Sequence, residues 1–344
     1  MMRRSGAAVL ATSLIVGLTG CSVPHPRGDQ TIDKVAATRD QVARLYEDYR
    51  EIRNAATELL DPKPLSTVET GPVLAIDTGS FAVAAKLNRQ GEVETGPIDV
   101  ARVETPRFGK YPLWFFAVVR DAERGVQKLQ VFERSTAVDP WLLTASPEAL
   151  ASTKIPGLRR DGTGHAVTVE PDDARGMAMS AQQAAEAYAR VLTDPDTAAG
   201  AGIVEDAFIR QMRDIAETNA SLDSVTFSQT WAAEPVRYVL RASDGGSLAF
   251  VTLLRKDQYI VPVDRKITWP AGSPQQALLE DGIQGSSGNL NYYHQIVIHL
   301  PGGTAKPRVI AQYGGVVQGE VGLDQAVDDA TILGTESGDA TAAE

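Results

Sequence analysis

Leu290-Asn-Tyr-Tyr-His-Gln-Ile-Val-Ile-His-Leu300 alternates with a period of two: Leu290, Tyr292, His294, Ile296, Ile298 and Leu300 fall on one face. Such alternation is the mark of a β-strand with one side on a core. An odd separation places His294 and His299 on opposite faces, so the pair cannot ligate one metal ion. His294 is expected as a hydrogen-bonded core histidine and His299 on the polar face. Similar runs surround this one, at 237–241, 247–254, 259–267 and 308–313, and the turn residues between them predict antiparallel neighbours.

Upstream the period changes. Ser180 with Gln183 forms a capping box ahead of Ala184, Ala185, Tyr188, Val191 and Leu192, and Asp194-Pro195 closes that helix. A second amphipathic segment spans 204–218, with Phe208, Met212 and Ile215 on one face. The first half of the chain repeats the order. Residues 38–60 carry Val42, Leu45, Tyr46, Tyr49, Ile52, Ala56 and Leu59 at three- and four-residue steps, with Thr38 and Gln41 as a capping box and Asp61-Pro62 as the stop. Apolar runs at 73–76, 81–87, 113–120 and 127–132 follow, with a turn at 121–125, and predict a meander.

These elements predict an α+β protein of two tandem domains, each with one or more helices followed by an antiparallel sheet. The expected divisions are a leader at 1–20, a tether at 21–32, a first domain at 33–142, a linker at 143–179, a second domain at 180–322 and an acidic disordered tail at 323–344. Helix followed by curved sheet resembles the cystatin-like and NTF2-like folds in element order alone.

The amino terminus predicts export. Arg3 and Arg4 give a positive start, and the apolar run 7–18 is too short to span a bilayer, which needs roughly 20 apolar residues. It ends in Leu18-Thr19-Gly20-Cys21, which resembles the lipobox of bacterial lipoproteins. That resemblance implies cleavage between Gly20 and Cys21, acylation of the Cys21 thiol, and a protein held by lipid on the extracytoplasmic face of the cell membrane. Two acyl chains make such attachment stable where one is marginal. The Ala-, Asp-, Val- and Gly-rich usage is similar to that of actinomycete surface lipoproteins. Cys21 is the single cysteine, so no intramolecular disulfide can form. Pro24, Pro26 and Gly28 suit an extended tether, in which His25 is a solvated linker residue.

Formal net charge is −11, and the basic pairs Arg159-Arg160 and Arg210 with Arg213 are small and flanked by acids. Nucleic-acid binding requires a concentrated basic surface and is excluded as an expectation. The partners expected are membrane lipid through Cys21 and an envelope protein or small ligand. No cofactor or metal motif is present in the sequence, and His165, flanked by glycines, is expected in a turn.

The one motif suggestive of catalysis is Asp77-Thr78-Gly79-Ser80 behind Val73-Leu74-Ala75-Ile76, which resembles the active-site turn of aspartic peptidases. That chemistry needs two aspartates sharing a proton. Asp244-Gly-Gly-Ser247 is not a second copy, so a homodimer would have to supply it. A hairpin turn explains the same letters. Ser286-Ser287 has no base placed to activate it. The expectation is therefore a non-catalytic binding or scaffold module of the cell envelope. The alternatives are an anchored hydrolase using Asp77 or a solute-binding receptor.

Overall fold

The computed structural model describes residues 33–279 and 286–323. The leader, Gly20, Cys21, His25, the tether and nearly all of the acidic tail lie outside the described residues.

A short strand, β1 (Lys34–Val35), leads into α1 (Arg39–Leu59). Both arms of the expected capping box are made: the Gln41 amide donates to Thr38 Oγ1 at 3.3 Å and the Thr38 amide to Gln41 Oε1 at 2.9 Å. Val42, Tyr46, Tyr49 and Ala56 are the buried stripe. A 3-10 turn at Pro64–Thr67 then turns the chain into α2 (Gly71–Lys86).

This second helix corrects the expectation of two strands at 73–76 and 81–87 about a hairpin. Its residues are apolar nearly all round, and periodicity does not separate a buried helix from strands in such a run. Pro72 in the first turn and the many alanines tip the balance to helix, and burial on several sides satisfies its apolar surface.

The strands of the first half are β2 (Asp99–Glu104), β3 (Arg107–Phe108), β4 (Leu113–Asp121), β5 (Val126–Arg134), β6 (Leu142–Ala145) and β7 (Glu148–Leu150). The β4–β5 turn forms as expected, with the Arg124 amide donating to Asp121 Oδ1 at 3.0 Å and Gly125 at φ 64°. In the second half α3 (Ala181–Thr193), again with a full capping box, and α4 (Ala207–Ala220) precede β8 (Thr226–Ala233), β9 (Tyr238–Arg241) and β10 (Ser247–Val261). A five-residue helix, α5 (Pro274–Leu278), comes before β11 (Ser286–Leu300) and β12 (Arg308–Leu323). The runs 247–254 and 259–267, expected as two strands, are instead covered in large part by the single strand β10. Strands β1, β2, β3, β6, β7 and β8 were not expected.

The named strand pairs are all antiparallel, and the main sheet runs β2-β4-β5-β7-β12-β11-β10-β8, with β6 beside β5 and β9 beside β10. The protein is thus mixed helix and antiparallel sheet. Both halves contribute to one hydrogen-bonded sheet through β7, which pairs with β5 and β12. Residues 143–179, read from sequence as a linker, hold β6 in part and β7, and they bury Leu158, Ala166 and Val169. Their polar, glycine- and proline-bearing sequence hides this because they join the core through short bridges such as Leu158 with Ala242 and Thr168 with Leu240.

Alternation along the strands sets the layers. In β4, Leu113, Phe115 and Ala117 pack under α1, whereas Trp114, Phe116 and Val118 meet Leu240, Leu248, Phe250 and Val297 of the second half. In β10 and β11, Ala249, Val251, Leu253, Ile296 and Ile298 face α3 and α4. The two halves of the sheet therefore pack face to face over a shared apolar layer, with helices on both outer faces. Strand β4 is buried on both sides, which is why its sequence is almost continuously apolar.

Candidate functional site

The motif at Asp77 lies inside α2, not in a turn, so its likeness to the peptidase turn ends at the letters. Asp77 accepts hydrogen bonds from Arg53 of α1 and from the Tyr313 hydroxyl of β12. Arg53 also reaches Glu69 Oε1 at 3.0 Å, and the Tyr49 hydroxyl donates to the same oxygen at 2.8 Å. Burial, and then the neighbouring Asp77 carboxylate, push Glu69 up to about 7, against the pull of Arg53. One guanidinium thus serves two carboxylates. With Glu69 and Asp77 only 1% and 2% exposed, a substrate could reach neither without rearrangement of the helices around them. The cluster fastens α1 and α2 to β12.

The histidines fall as the strand reading requires, on opposite faces of β11. His299 is buried more than expected and its Nε2 lies 2.9 Å from Asp244 Oδ2. His294 is buried among Trp231, Phe208 and Tyr292, with ring centroids 4.9 to 6.2 Å away. The hydrogen bond expected for it is not found at Nε2, which has no partner among the described residues. Burial, reinforced by Arg255, lowers His294 to about 3, so the ring is neutral at physiological pH. His165 sits in a turn, its amide donating to Asp161 Oδ1 at 3.0 Å. Among the described residues no group of three or more His, Cys, Asp or Glu side chains could hold a metal ion.

His294 belongs to an open cleft of about 620 Å³ between α4, α5 and the strands β10, β11 and β12. Its floor is built around Arg255. On the sheet Arg255 stands directly opposite Trp231 on one side and Tyr292 on the other, and its guanidinium lies 3.7 Å from the Tyr292 ring centroid and 5.8 Å from that of Trp231. Two residues on, and so on the same face, Asp257 accepts from Arg255 Nη2 at 2.8 Å and from Gln229 Nε2 at 2.9 Å. Burial raises the Asp257 carboxyl, opposed chiefly by Arg255. Burial likewise pushes the Tyr292 phenol up to about 12.

Two glycines shape this floor. A Cβ on Gly314, which pairs with His294, would lie 2.4 Å from His294 Nδ1, so only glycine leaves room for the imidazole. Gly315 fits against Ile76 of α2 less tightly, where a Cβ would lie 3.0 Å from the Ile76 side chain. Met212 and Ile215 of α4, with Pro270 and Pro274, give an apolar rim; Gln211, Asn219, Gln275 and Gln312 give a polar one. Several of these amides are already paired, Gln275 with Asn219 and the Tyr259 hydroxyl, and Gln312 with Gln211.

Sequence reasoning found His294 and missed Arg255, Tyr292 and Met212 as a group. A signal was present: Ala249, Val251, Leu253, Arg255, Asp257, Tyr259 and Val261 share one face of β10, and a charged pair in an apolar stripe is costly unless it is paired. What the sequence did not contain was the register that sets Trp231 and Tyr292 against Arg255.

A family model described as a domain of unknown function, DUF8094, matches residues 34–320. An uncharacterized lipoprotein of Streptomyces coelicolor is 26% identical over 186 residues, which cover 50% of this chain and 52% of that protein. The chain therefore matches about half the length of this curated relative. No solved structure matches. No helix among the described residues is long and apolar enough to cross a membrane.

Proposed function

Because the chain belongs to the DUF8094 family and has a lipoprotein relative, we propose that it is itself a lipid-anchored protein of the extracytoplasmic membrane face whose cleft binds a small ligand without transforming it. The observation that carries the binding reading is the cleft floor. Arg255 and His294 are buried there, each with a nitrogen that has no partner among the described residues, and the described lining contains no acid, cysteine or base-activated nucleophile. Such a floor can hold and orient a molecule, while its imidazole, His294, is lowered to about 3 and is a weak base near neutral pH, with no nucleophile of the described lining paired to it.

The anchored-hydrolase alternative loses its support with the placement of Asp77 in a buried helix. A solute-binding receptor of doubly wound lobes would need parallel strands, and the named pairs here are antiparallel. The finer reading of the fold, two related halves of the cystatin-like or NTF2-like kind, is part of the same proposal and is supported by the order of helices before strands in each half.

Two comparisons test it. Metabolic labelling with an alkyne fatty acid should mark the wild-type protein in the membrane fraction, whereas Cys21→Ala should be unlabelled and released; membrane retention of the variant would end the lipid-anchor reading. A fragment library screened by thermal shift should contain compounds that raise the melting temperature of the full chain but not that of Ile215→Trp, which fills the cleft. Identical shifts in both, or none in either, would rule against the cleft.

A further inference from the structure

The unpaired nitrogens in the cleft floor specify more than a site. Arg255 is about 5% exposed and is the one charged residue among the described residues that line the cleft. Its Nη2 is engaged by Asp257 at 2.8 Å and its guanidinium lies against Tyr292, but its Nε has no partner among the described residues, and its Nη1 meets the Met212 sulfur at 3.9 Å, a weak acceptor. His294 Nε2, in the same floor, is also unpaired among the described residues. A buried polar group left without a partner costs about 1–3 kcal/mol, more when it is charged. Arg255 and His294 thus bring spare hydrogen-bonding capacity to one cleft floor.

We propose that the cleft binds an organic monocarboxylate, its carboxylate on Arg255 and its apolar body along Met212, Ile215, Pro270 and Pro274. This rests on the cleft being a ligand site and names the class of ligand.

Charge and shape both favour that class. A guanidinium matches a carboxylate in planarity and in the spacing of its donors. With one arginine already sharing charge with Asp257, the floor can neutralise a single negative charge at most, which disfavours phosphate or a dicarboxylate. A cationic ligand would meet Arg255 and no acid of the described lining. The apolar rim and a volume of about 620 Å³ fit an organic body larger than acetate. The cover over Arg255 is Met212, an unbranched side chain that repacks readily, and the entering carboxylate replaces its sulfur beside Nη1.

The experiment is calorimetric titration of the full chain with phenylacetate, 4-phenylbutyrate and octanoate, each beside its uncharged amide and with inorganic phosphate as a further probe. Carboxylates are expected to bind at least tenfold more tightly than the amides, and phosphate not to bind. Removing Arg255 alone would strand buried Asp257, so the informative variant is Arg255→Met with Asp257→Leu, which exchanges the pair for apolar residues of similar size, a change that is often neutral for stability. This double variant, shown folded by its melting curve, should lose the preference for carboxylate over amide.

Equal binding of acid and amide by the wild type would overturn the carboxylate assignment while leaving the cleft as a binding site. Unchanged preference in the folded double variant would overturn the role of Arg255. Preference for phosphate would replace the organic anion by an inorganic one, and absence of binding by all probes would overturn both this assignment and the binding reading on which it rests.

Discussion

The hydroxyl of Tyr313 on β12 donates to Asp77 on α2, joining residues 236 apart in the chain. Arg53 of α1 holds the same carboxylate from the other side, so that two helices and a strand meet at one aspartate. Removing one member of a buried ion pair typically costs about 3–5 kcal/mol, and the partial exposure of Arg53 places Asp77→Ala near the lower end, at about 3 kcal/mol. Tyr313→Phe should cost about 1 kcal/mol, since Asp77 keeps Arg53. Urea unfolding of both variants measures the difference. A loss for Asp77→Ala no greater than that for Tyr313→Phe would show that the ion pair contributes nothing.

Glu69 gives a pH dependence with a definite sign. Its folded value of about 7 exceeds its ordinary 4.5, so the folded state keeps a proton that the unfolded state releases. The associated stability is complete below pH 4.5 and is lost as pH rises through 7. Glu69→Gln retains acceptance from Tyr49 and Arg53 without the excess charge. It should flatten the decline of melting temperature across this window and be the more stable protein at pH 8, by an amount on the order of 1–3 kcal/mol. A wild-type decline unchanged in Glu69→Gln would remove this residue as its cause.

His294 slopes the other way. Burial lowers its value from 6.5 to about 3, so the unfolded state takes up a proton that the folded state refuses. Its contribution is present above pH 6.5 and is lost as pH falls toward 3. His294→Phe, which keeps an aromatic ring among Trp231, Phe208 and Tyr292, should show a shallower loss of stability on acidification. Parallel acid limbs for variant and wild type would contradict this.

At Gly79 the helix α2 comes so close to β12 that an added Cβ would lie 1.9 Å from the Val316 carbonyl oxygen. Backbone, not a flexible side chain, occupies the space. Gly79→Ala should therefore separate α2 from β12 despite the better helix propensity of alanine, and destabilise the protein by about 3 kcal/mol or more in denaturant titrations. A neutral or stabilising effect would mean that the helix is not held at this distance in solution.

How far the sequence reached depended on whether local patterns were decisive. Thr38 with Gln41, and Ser180 with Gln183, are short-range signals completed within one helical turn, and both capping boxes form. The alternation at 290–300 likewise announces its strand. The apolar run beginning at Val73 carries no such period, since a segment buried on several sides looks alike as helix or strand, and there the expectation failed. In the candidate site, His294 stood out as a polar residue in an apolar face. Arg255 was equally visible in the stripe of β10, but its meaning lay in neighbours contributed by β8, β11 and α4.

The sequence by itself determined the α+β class, four helix starts or stops written in capping boxes and Asp-Pro pairs, and an acidic chain with a single cysteine; these depend on residues a few positions apart. The tertiary structure alone decided that α2 is a helix, that the two sheet halves share one apolar layer, and that Arg255 lies between Trp231 and Tyr292 beneath Met212. Those outcomes depend on strand register and layer packing between residues far apart in the chain, where the free energy of burial and of pairing charges is set by which surfaces meet.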